Sequence, residues 1–502
     1  MPRPSSSASA QLTGLTVQNM KSSAACEAPD PLARSVPLVV DLDGTLVRTD
    51  LLMESFFLLA KKKPLLVLGL PFWLAKGRAA LKHRLAQEVI PDVTTLPYHR
   101  DLLTYLEAQK CQGRSLVLAT GGDVQVAKEV ALHLGLFDEV LASNGATNLT
   151  GDEKRRRLVA EFGQGGFDYA GDSRRDLPVW AEARQAILVG ASPRLREAVR
   201  KSGKLGPAFE DRSSPLLTYL HALRAHHWLK NILVLAPLAA LHQLNQFVLL
   251  AQTMLAFVAF SLCASSIYLF NDLVDLPGDR RDPNKRARPL ASGDLPIGHA
   301  LVLLPLLLLG AGAAGSLLPP LFMAILGIYW ALMVAYCLKL KDLAIVDSLA
   351  LGAGYALRMV AGAAAVEVCI SARLVACCLL LFFSLALLKR YAEMIALWSR
   401  EGARGRVRAY PVEHMHLIAA AGVALGFAAV LVLAIYVGEE QSQYARYQLI
   451  WLFCLLLLLW IGHIWLMAYR GRIHGDPVVF VLRDRASRGL ALLMLAVLAA
   501  AA

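Results

Sequence analysis

The pattern of apolar and polar positions changes character near residue 225. Beyond it the chain runs through long apolar stretches. Crossing the roughly 30 Å hydrocarbon core of a bilayer takes about twenty apolar residues in a helix. The stretches 231–243, 247–270, 297–315, 319–338, 344–366, 372–390, 413–437, 447–468 and 487–502 are therefore predicted as nine spans, the first and last of them short. The loops after the second, fourth, sixth and eighth spans carry nearly all the Lys and Arg, Arg280, Lys339, Arg404 and Arg472 among them. By the positive-inside rule those loops face the cytosol, and the amino terminus with them.

Before residue 225 the apolar runs are short. Residues 1–35, rich in Ser, Ala and Pro without a continuous apolar core, read as a disordered tail rather than a signal peptide. Three segments, VPLVVDLDGTLV from Val36, SLVLATGG ending past Thr120, and FDYAGDSRRD ending in Asp176, each read as a buried strand running into a polar turn. Open parallel sheets place their sites at such strand ends. Between the first two lies a helical insertion over 50–100 containing PLLVLGLPFWLAKGR, too short to cross a bilayer. Flanked by Lys61, Lys62, Lys63 and Lys76, it fits either a bilayer interface or the insertion's own core.

Composition agrees with a two-part chain. Of 502 residues 56% are hydrophobic, with a mean hydropathy of +0.49, above a soluble globule. The formal charge of +12 comes from 51 Lys and Arg against 39 Asp and Glu. These cations gather beside apolar segments and do not alternate with aromatics, which points to membrane lipids and phosphorylated substrates and excludes a nucleic-acid groove. The eight cysteines show no C-x-x-C spacing and sit mostly in apolar runs, as small buried hydrophobes do.

The densest chemistry lies where the second span meets its loop, YLFNDLVDLPGDRRDPNKRARPLASG from Tyr268 to Gly293. Asn271, Asp272, Asp275 and Asp279 recur at helical spacing, so three carboxylates share a face that repels itself unless a cation sits there. Mg2+ is usually held by one or two carboxylates plus phosphate oxygens, so the substrate is expected to be a diphosphate. Arg280, Arg281, Lys285, Arg286 and Arg288 follow with charge suited to phosphate oxygens. The pattern N-D-x-x-D-x-x-x-D followed by D-P-x-K-R-x-R-P-L-A-S-G resembles the first aspartate-rich motif of the UbiA superfamily of intramembrane prenyltransferases, most closely its polyprenyl-phosphate phosphoribosyltransferase branch. In LRAHHWLKN, Trp228, Lys230 and Asn231 match that branch, whereas Ala225 and His227 depart from it. A second constellation follows: Tyr336, Lys339, Lys341, Asp342, Asp347 and Arg358. Lysines stand there where aromatic prenyltransferases carry a second aspartate-rich repeat, and extra cations suit a donor such as phosphoribosyl diphosphate. Further matches are Lys389, Arg390 and Glu393, then Arg408 and Tyr410, then Asp476, Arg483 and Asp484.

The amino-terminal strand ends resemble the motifs of haloacid dehalogenase-superfamily phosphatases over residues 36–200. The resemblance implies Asp41 as nucleophile, Asp43 as general acid and base, Thr120 and Lys154 on the phosphoryl oxygens, and Asp172 with Asp41 on Mg2+, supported by Asp176. Asp43 is counted with Asp41, Asp172 and Asp176 as a candidate metal ligand.

The two resemblances together imply a tail (1–35), an α/β Rossmann-like haloacid dehalogenase domain with a helical cap (36–205), a linker (206–222) and an all-α nine-helix transmembrane UbiA-type bundle (223–502). The implied enzyme is bifunctional, with both sites cytosolic and a homo-oligomer compatible with it. Mg2+ on Asp272, Asp275 and Asp279 assists transfer of 5-phosphoribose to a polyprenyl phosphate such as decaprenyl phosphate, and the soluble domain removes the 5-phosphate. Asn271, Lys230, Lys285, Arg288, Lys339, Lys341, Arg358 and Lys389 would bind substrate. Two alternatives stand beside it. One is an aromatic prenyltransferase with a fused phosphatase, against which the lysine-rich second motif speaks. The other is a membrane-anchored phosphatase, against which speak charges at bilayer depth that are costly when idle.

Overall fold

A computed structural model describes residues 36–210, 214–240, 245–401, 406–439, 448–473 and 477–501. The expected tail, Arg404 and Asp476 lie outside the described residues. The chain divides into two compact units, one of residues 1–214 with 277–297 and one of 215–276 with 298–502.

The first unit is built on a six-stranded sheet in the order β3-β2-β1-β4-β5-β6, with every pairing parallel. Its strands are β1 Leu38–Val40, β2 Leu116–Asp123, β3 Glu139–Ser143, β4 Asp168–Gly171, β5 Ala186–Val189 and β6 Leu205–Phe209. Buried parallel sheets read as unbroken apolar runs, and Leu38, Val39 and Val40 are wholly buried. Their side chains alternate between two apolar layers, Leu38 and Val40 joining Leu102, Leu118 and Ile187 while Val39 joins Val117, Leu158 and Trp180. Chain order reverses between β1 and β4, and the carboxyl ends of adjacent strands at such a switch point form a crevice. Beneath it Asp168, fully buried, accepts from Arg184 at 2.9 and 2.7 Å and from Arg114. Helices Leu51–Lys62 and Arg78–Glu88 with the segment Pro64–Ala75 form the cap.

Residues 277–297 belong to this unit through ion pairs that no motif announces. The Arg280 guanidinium grips Glu54 of the first cap helix at 2.7 and 2.6 Å, both side chains buried, and its Nε donates to the Ala291 carbonyl at 3.1 Å. Arg281 pairs with Asp92 at 2.6 Å, and Arg48 with Asp294 at 3.1 Å.

The second unit is helical. Among the described residues seven helices are long and apolar enough to cross a membrane: Phe247–Val274, Ile297–Gly315, Pro320–Leu338, Val346–Ala365, Ala372–Ser399, Val412–Glu439 and Gln448–Tyr469. Two of the nine expected spans, the first and the last, are not among these seven. The first expected span is instead a 3-10 helix, Ala225–Leu235, followed by the five-residue helix Ala236–Ala240, whereas the last coincides with the α-helix Arg485–Ala501, whose 17 residues are at the short end of membrane-crossing length. Hydropathy registers an apolar run but not whether its backbone continues as one α-helix. Val346–Ala365 is the most enclosed of the seven, and its small residues let neighbours approach. A Cβ on Gly362 would lie 2.0 Å from the Val234 carbonyl oxygen, so only glycine fits there. The 3-10 segment is stitched to Phe247–Val274 by Trp228 donating to Ser265 at 3.0 Å and Asn231 to Ser261 at 3.0 Å, the two serines one helical turn apart.

Removing one partner of a buried ion pair strands the other at a cost of about 3–5 kcal/mol. Glu54→Ala should therefore loosen residues 277–297 and raise the rate of trypsin cleavage after Lys285 and Arg286 by about tenfold or more. The swap Glu54→Arg with Arg280→Glu should recover most of the protection. Equal cleavage of Glu54→Ala and wild type would show that the pair does not hold the segment.

Candidate functional sites

At the sheet's switch point β1 delivers Asp41 and β4 delivers Asp172. The turn after β4 is capped by Ser173, whose side chain and backbone both engage Asp176. Ligand oxygens of Asp41, Asp172 and Asp176 lie within 4.8 Å of one another. Lys154, in the first turn of helix Asp152–Phe162, donates to Asp41 Oδ1 at 2.9 Å. Tyr169 closes the array: its hydroxyl accepts from Lys154 at 2.9 Å and donates to Asp176 Oδ1 at 2.8 Å. Gly44 sits at φ +79°, where a Cβ would meet Asp172 Oδ2 at 2.4 Å, so the tight turn after β1 requires glycine.

Burial pushes the Asp41 carboxyl above the usual carboxylate range against the pull of Lys154, with Asp176 adding to the rise. Asp172 is pushed up to about 7, by burial first and then by Asp41 and Asp176. Three crowded acids with one lysine form a site short of positive charge, and this oxygen donor set fits a hard divalent cation. Asp43 stands outside the three-acid cluster. Its Oδ1 accepts from Leu51 N at 2.9 Å, at the start of the first cap helix, and burial with the charge of Asp50 pushes it up to about 7. A carboxyl of that kind is half protonated near neutrality and suited to proton transfer. Thr120 is wholly buried within β2, and its hydroxyl accepts from Gly122 N at 2.9 Å.

Two residues here carry no sequence signal. Tyr169 reads as one more apolar strand position. Lys82 reads as a surface cap residue, yet its Nζ donates to the Gly121 carbonyl at 2.6 Å, and burial lowers its pKa.

In the helical unit the acids of the aspartate-rich motif each meet a cation. Asp272 pairs with Arg224, whose guanidinium lies 5.0 Å from the Tyr268 ring centre, and both Asp275 oxygens accept from Lys341 at 2.6 Å. Asn271 lies in the last turn of the same helix, its carbonyl accepting from Asp275 N at 2.9 Å. Lys341 is buried and Lys339 exposed, so the structure separates two lysines that the sequence places together. Within the first unit, Asp279 pairs with Arg288, and Lys285 with Asp282 at 2.9 Å.

A second set gathers on Asp347, fully buried, which accepts from Arg390 Nε at 2.6 Å and from the Tyr410 hydroxyl. Arg390 also reaches Glu393 at 2.7 Å, and the Tyr336 hydroxyl accepts from Arg390 at 3.3 Å and Arg408 at 2.8 Å. Lys389, beside Arg390, is half-buried, and Lys230 lies in the 3-10 segment. Arg358 spends Nε on Asn231 at 2.7 Å, one amino group on the Gly354 carbonyl at 2.6 Å and the other on the Tyr329 hydroxyl at 2.8 Å. Its guanidinium thus ties the helices Val346–Ala365 and Pro320–Leu338 to the 3-10 segment.

A parallel α/β fold with an acid cluster at its switch point, followed by a bundle of membrane-length helices carrying paired acids and cations, defines a hydrolase-type domain joined to an integral membrane transferase. The profile of the UbiA prenyltransferase family matches residues 232–474, and that of haloacid dehalogenase-like hydrolases residues 38–180. The chain belongs to the UbiA prenyltransferase family and carries a haloacid dehalogenase-like domain at its amino-terminal side. An uncharacterized protein, y4nM, of Sinorhizobium fredii is 34% identical over 91% of this chain and 89% of its own length. The nodulation protein NoeC of Azorhizobium caulinodans is 35% identical over 54% of this chain and 89% of its own. The decaprenyl-phosphate phosphoribosyltransferase of Mycobacterium tuberculosis is 32% identical over 56% of this chain and 92% of its own.

Residues that orient metal-binding groups typically cost 10–100-fold in metal affinity or activity when removed. Tyr169→Phe deletes only the hydroxyl that joins Lys154 to Asp176. It should raise the Mg2+ concentration needed for half-maximal hydrolysis of p-nitrophenyl phosphate by about tenfold or more. An unchanged Mg2+ titration would confine Tyr169 to packing.

Proposed function

We propose that the helical unit transfers 5-phosphoribose from phosphoribosyl diphosphate to a polyprenyl phosphate, and that the amino-terminal domain then removes the 5-phosphate from the lipid-linked product. The observation that carries the reading is the lysine at the second motif. Lys341 is buried and aimed at both oxygens of Asp275, at a position where a diphosphate and a second phosphate would both need positive charge. The name of the mycobacterial relative supports the same donor and acceptor.

In the transfer step an oxygen of the lipid phosphate attacks the anomeric carbon of the ribose. The bond from that carbon to the diphosphate breaks, and diphosphate departs with the electron pair. Asp272 and Asp275 would hold Mg2+, which supplies countercharge to the leaving diphosphate. Lys341 and Arg224, released from Asp275 and Asp272, would be free to turn to phosphate oxygens, and Lys339 and Lys389 supply further positive charge.

In the hydrolytic step an Asp41 oxygen attacks the phosphorus of the 5-phosphate, and Asp43 protonates the departing ribose oxygen. Asp43 then takes a proton from water as that water attacks phosphorus and frees Asp41. Lys154 holds Asp41 in place and faces the incoming phosphoryl oxygens, with Thr120 beside the site. Asp41, Asp172 and Asp176 would hold Mg2+ here, which screens one anion from the other. Both sites lie on the cytosolic side in this reading.

Asp275→Asn should abolish formation of lipid-linked ribose from labelled phosphoribosyl diphosphate and polyprenyl phosphate, with p-nitrophenyl phosphate hydrolysis unchanged. Transfer at the wild-type rate would remove Asp275 from the reacting centre. Asp41→Asn should do the reverse. Extracted lipids should then hold the 5-phosphorylated product, where wild type holds polyprenyl-phosphoryl ribose, the two differing by one phosphate in mass spectrometry. Were both proteins to accumulate only the phosphorylated lipid, the amino-terminal domain would act on some other ester.

A further inference from the structure

The cap segment Pro64–Ala75 is apolar on two sides. Inward, Leu66, Leu70 and Trp73 pack against Leu59, Leu85 and Val89. Outward, Leu65 is 81% exposed, Leu68 74%, Phe72 74% and Leu74 52%. Leu65, Leu68 and Phe72 follow helical spacing, so they form one stripe. A helical segment apolar all round belongs in a core or in lipid, and at twelve residues this one is too short to span a bilayer.

The surrounding charge is mostly positive. From residue 55 to 87 the chain holds Lys61, Lys62, Lys63, Lys76, Arg78, Lys82 and Arg84 and no Asp or Glu. Lys63 and Arg84 meet Glu88, at 2.9 and 3.0 Å, while Lys62, Lys76 and Arg78 are exposed at the two ends of the apolar stripe. Apolar side chains between clusters of cations match the acyl boundary and anionic headgroups of a bilayer. A protein partner's groove would more usually be met by a rim of mixed sign. The same chain carries seven helices of membrane-crossing length, so a bilayer is always at hand.

We propose that Pro64–Ala75 lies in the bilayer interface, with Leu65, Leu68 and Phe72 seated among acyl chains and the flanking cations on anionic headgroups, so that the cap feeds a lipid-borne phosphate ester to the Asp41 site. The substrate half rests on the phosphatase reading above; the insertion does not. Holding the site at the membrane confines enzyme and ester to one thin layer, which raises the effective concentration of the ester without any new contact to it.

The insertion is read in the full-length protein in nanodiscs containing phosphatidylglycerol, with Cys26, Cys111 and Cys369 changed to Ser and an environment-sensitive fluorophore on Phe72→Cys. The emission should be blue-shifted and quenched by lipids carrying a headgroup-proximal nitroxide. A label on Leu132→Cys, an exposed position of a sheet-flanking helix, should behave as in water. A Phe72→Cys label that matches the Leu132→Cys control would overturn the insertion. So would a blue shift without nitroxide quenching, which means that protein, from this chain or a second copy, covers the stripe.

The substrate half is read with Leu68→Asp combined with Phe72→Asp. The variant should lose at least tenfold in kcat/KM on bilayer-embedded polyprenyl-phosphoryl ribose 5-phosphate and stay within twofold on p-nitrophenyl phosphate. Leu68→Trp combined with Phe72→Trp should keep both. Equal loss on both substrates would overturn the docking role, and a wild type inactive on both would sink the phosphatase reading while the fluorescence result stands.

Discussion

Every charge this chain buries has to be answered, because a lone ion in an apolar interior costs several kcal/mol or more. Glu54 is answered by Arg280, Asp168 by Arg114 and Arg184, and Asp347 by Arg390. Each pair joins different elements of the fold, and the two-pronged grips of Arg280 on Glu54 and of Arg184 on Asp168 fix register more narrowly than apolar packing would. The strand-end cluster departs from this balance. Asp41, Asp172 and Asp176 share one lysine and one tyrosine, and two of the three carboxyls are driven upward by burial and by each other. The imbalance marks a place built to receive a cation, whereas the pairs at Glu54, Asp168 and Asp347 hold the fold.

The strand-end residues were legible in the sequence because a parallel sheet translates chain order into position. Three apolar runs that each stop at an acid or a threonine put Asp41 and Asp172 just past the ends of adjacent strands and Thr120 in the strand on the other side of Asp41. The aspartate-rich run was legible for a similar reason, since helical spacing alone gathers its acids on one face. What stayed hidden depends on backbone geometry. Tyr169 becomes part of the site only because its ring runs across the sheet to Lys154 and Asp176. Lys339 and Lys341 differ by two residues, and only the break after Pro320–Leu338 decides that one is exposed and the other buried. The first expected span failed for the same reason, since hydropathy cannot tell a 3-10 turn from a full crossing.

The segment Pro277–Ile297 is held in the first unit by its own charges. It follows directly on the helix that carries Asp272 and Asp275, yet it belongs to the compact unit of the parallel sheet. In this chain the basic run that begins at Arg280 is therefore not wholly committed to phosphate. Arg280 and Arg281 are spent on the cap, at Glu54 and Asp92, while Asp279 and Arg288 remain paired with each other within the same segment. A loop that is anchored at its start by two arginines and by Asp294 at its end presents what lies between, Lys285 and Arg288, with less conformational freedom than a free loop would have.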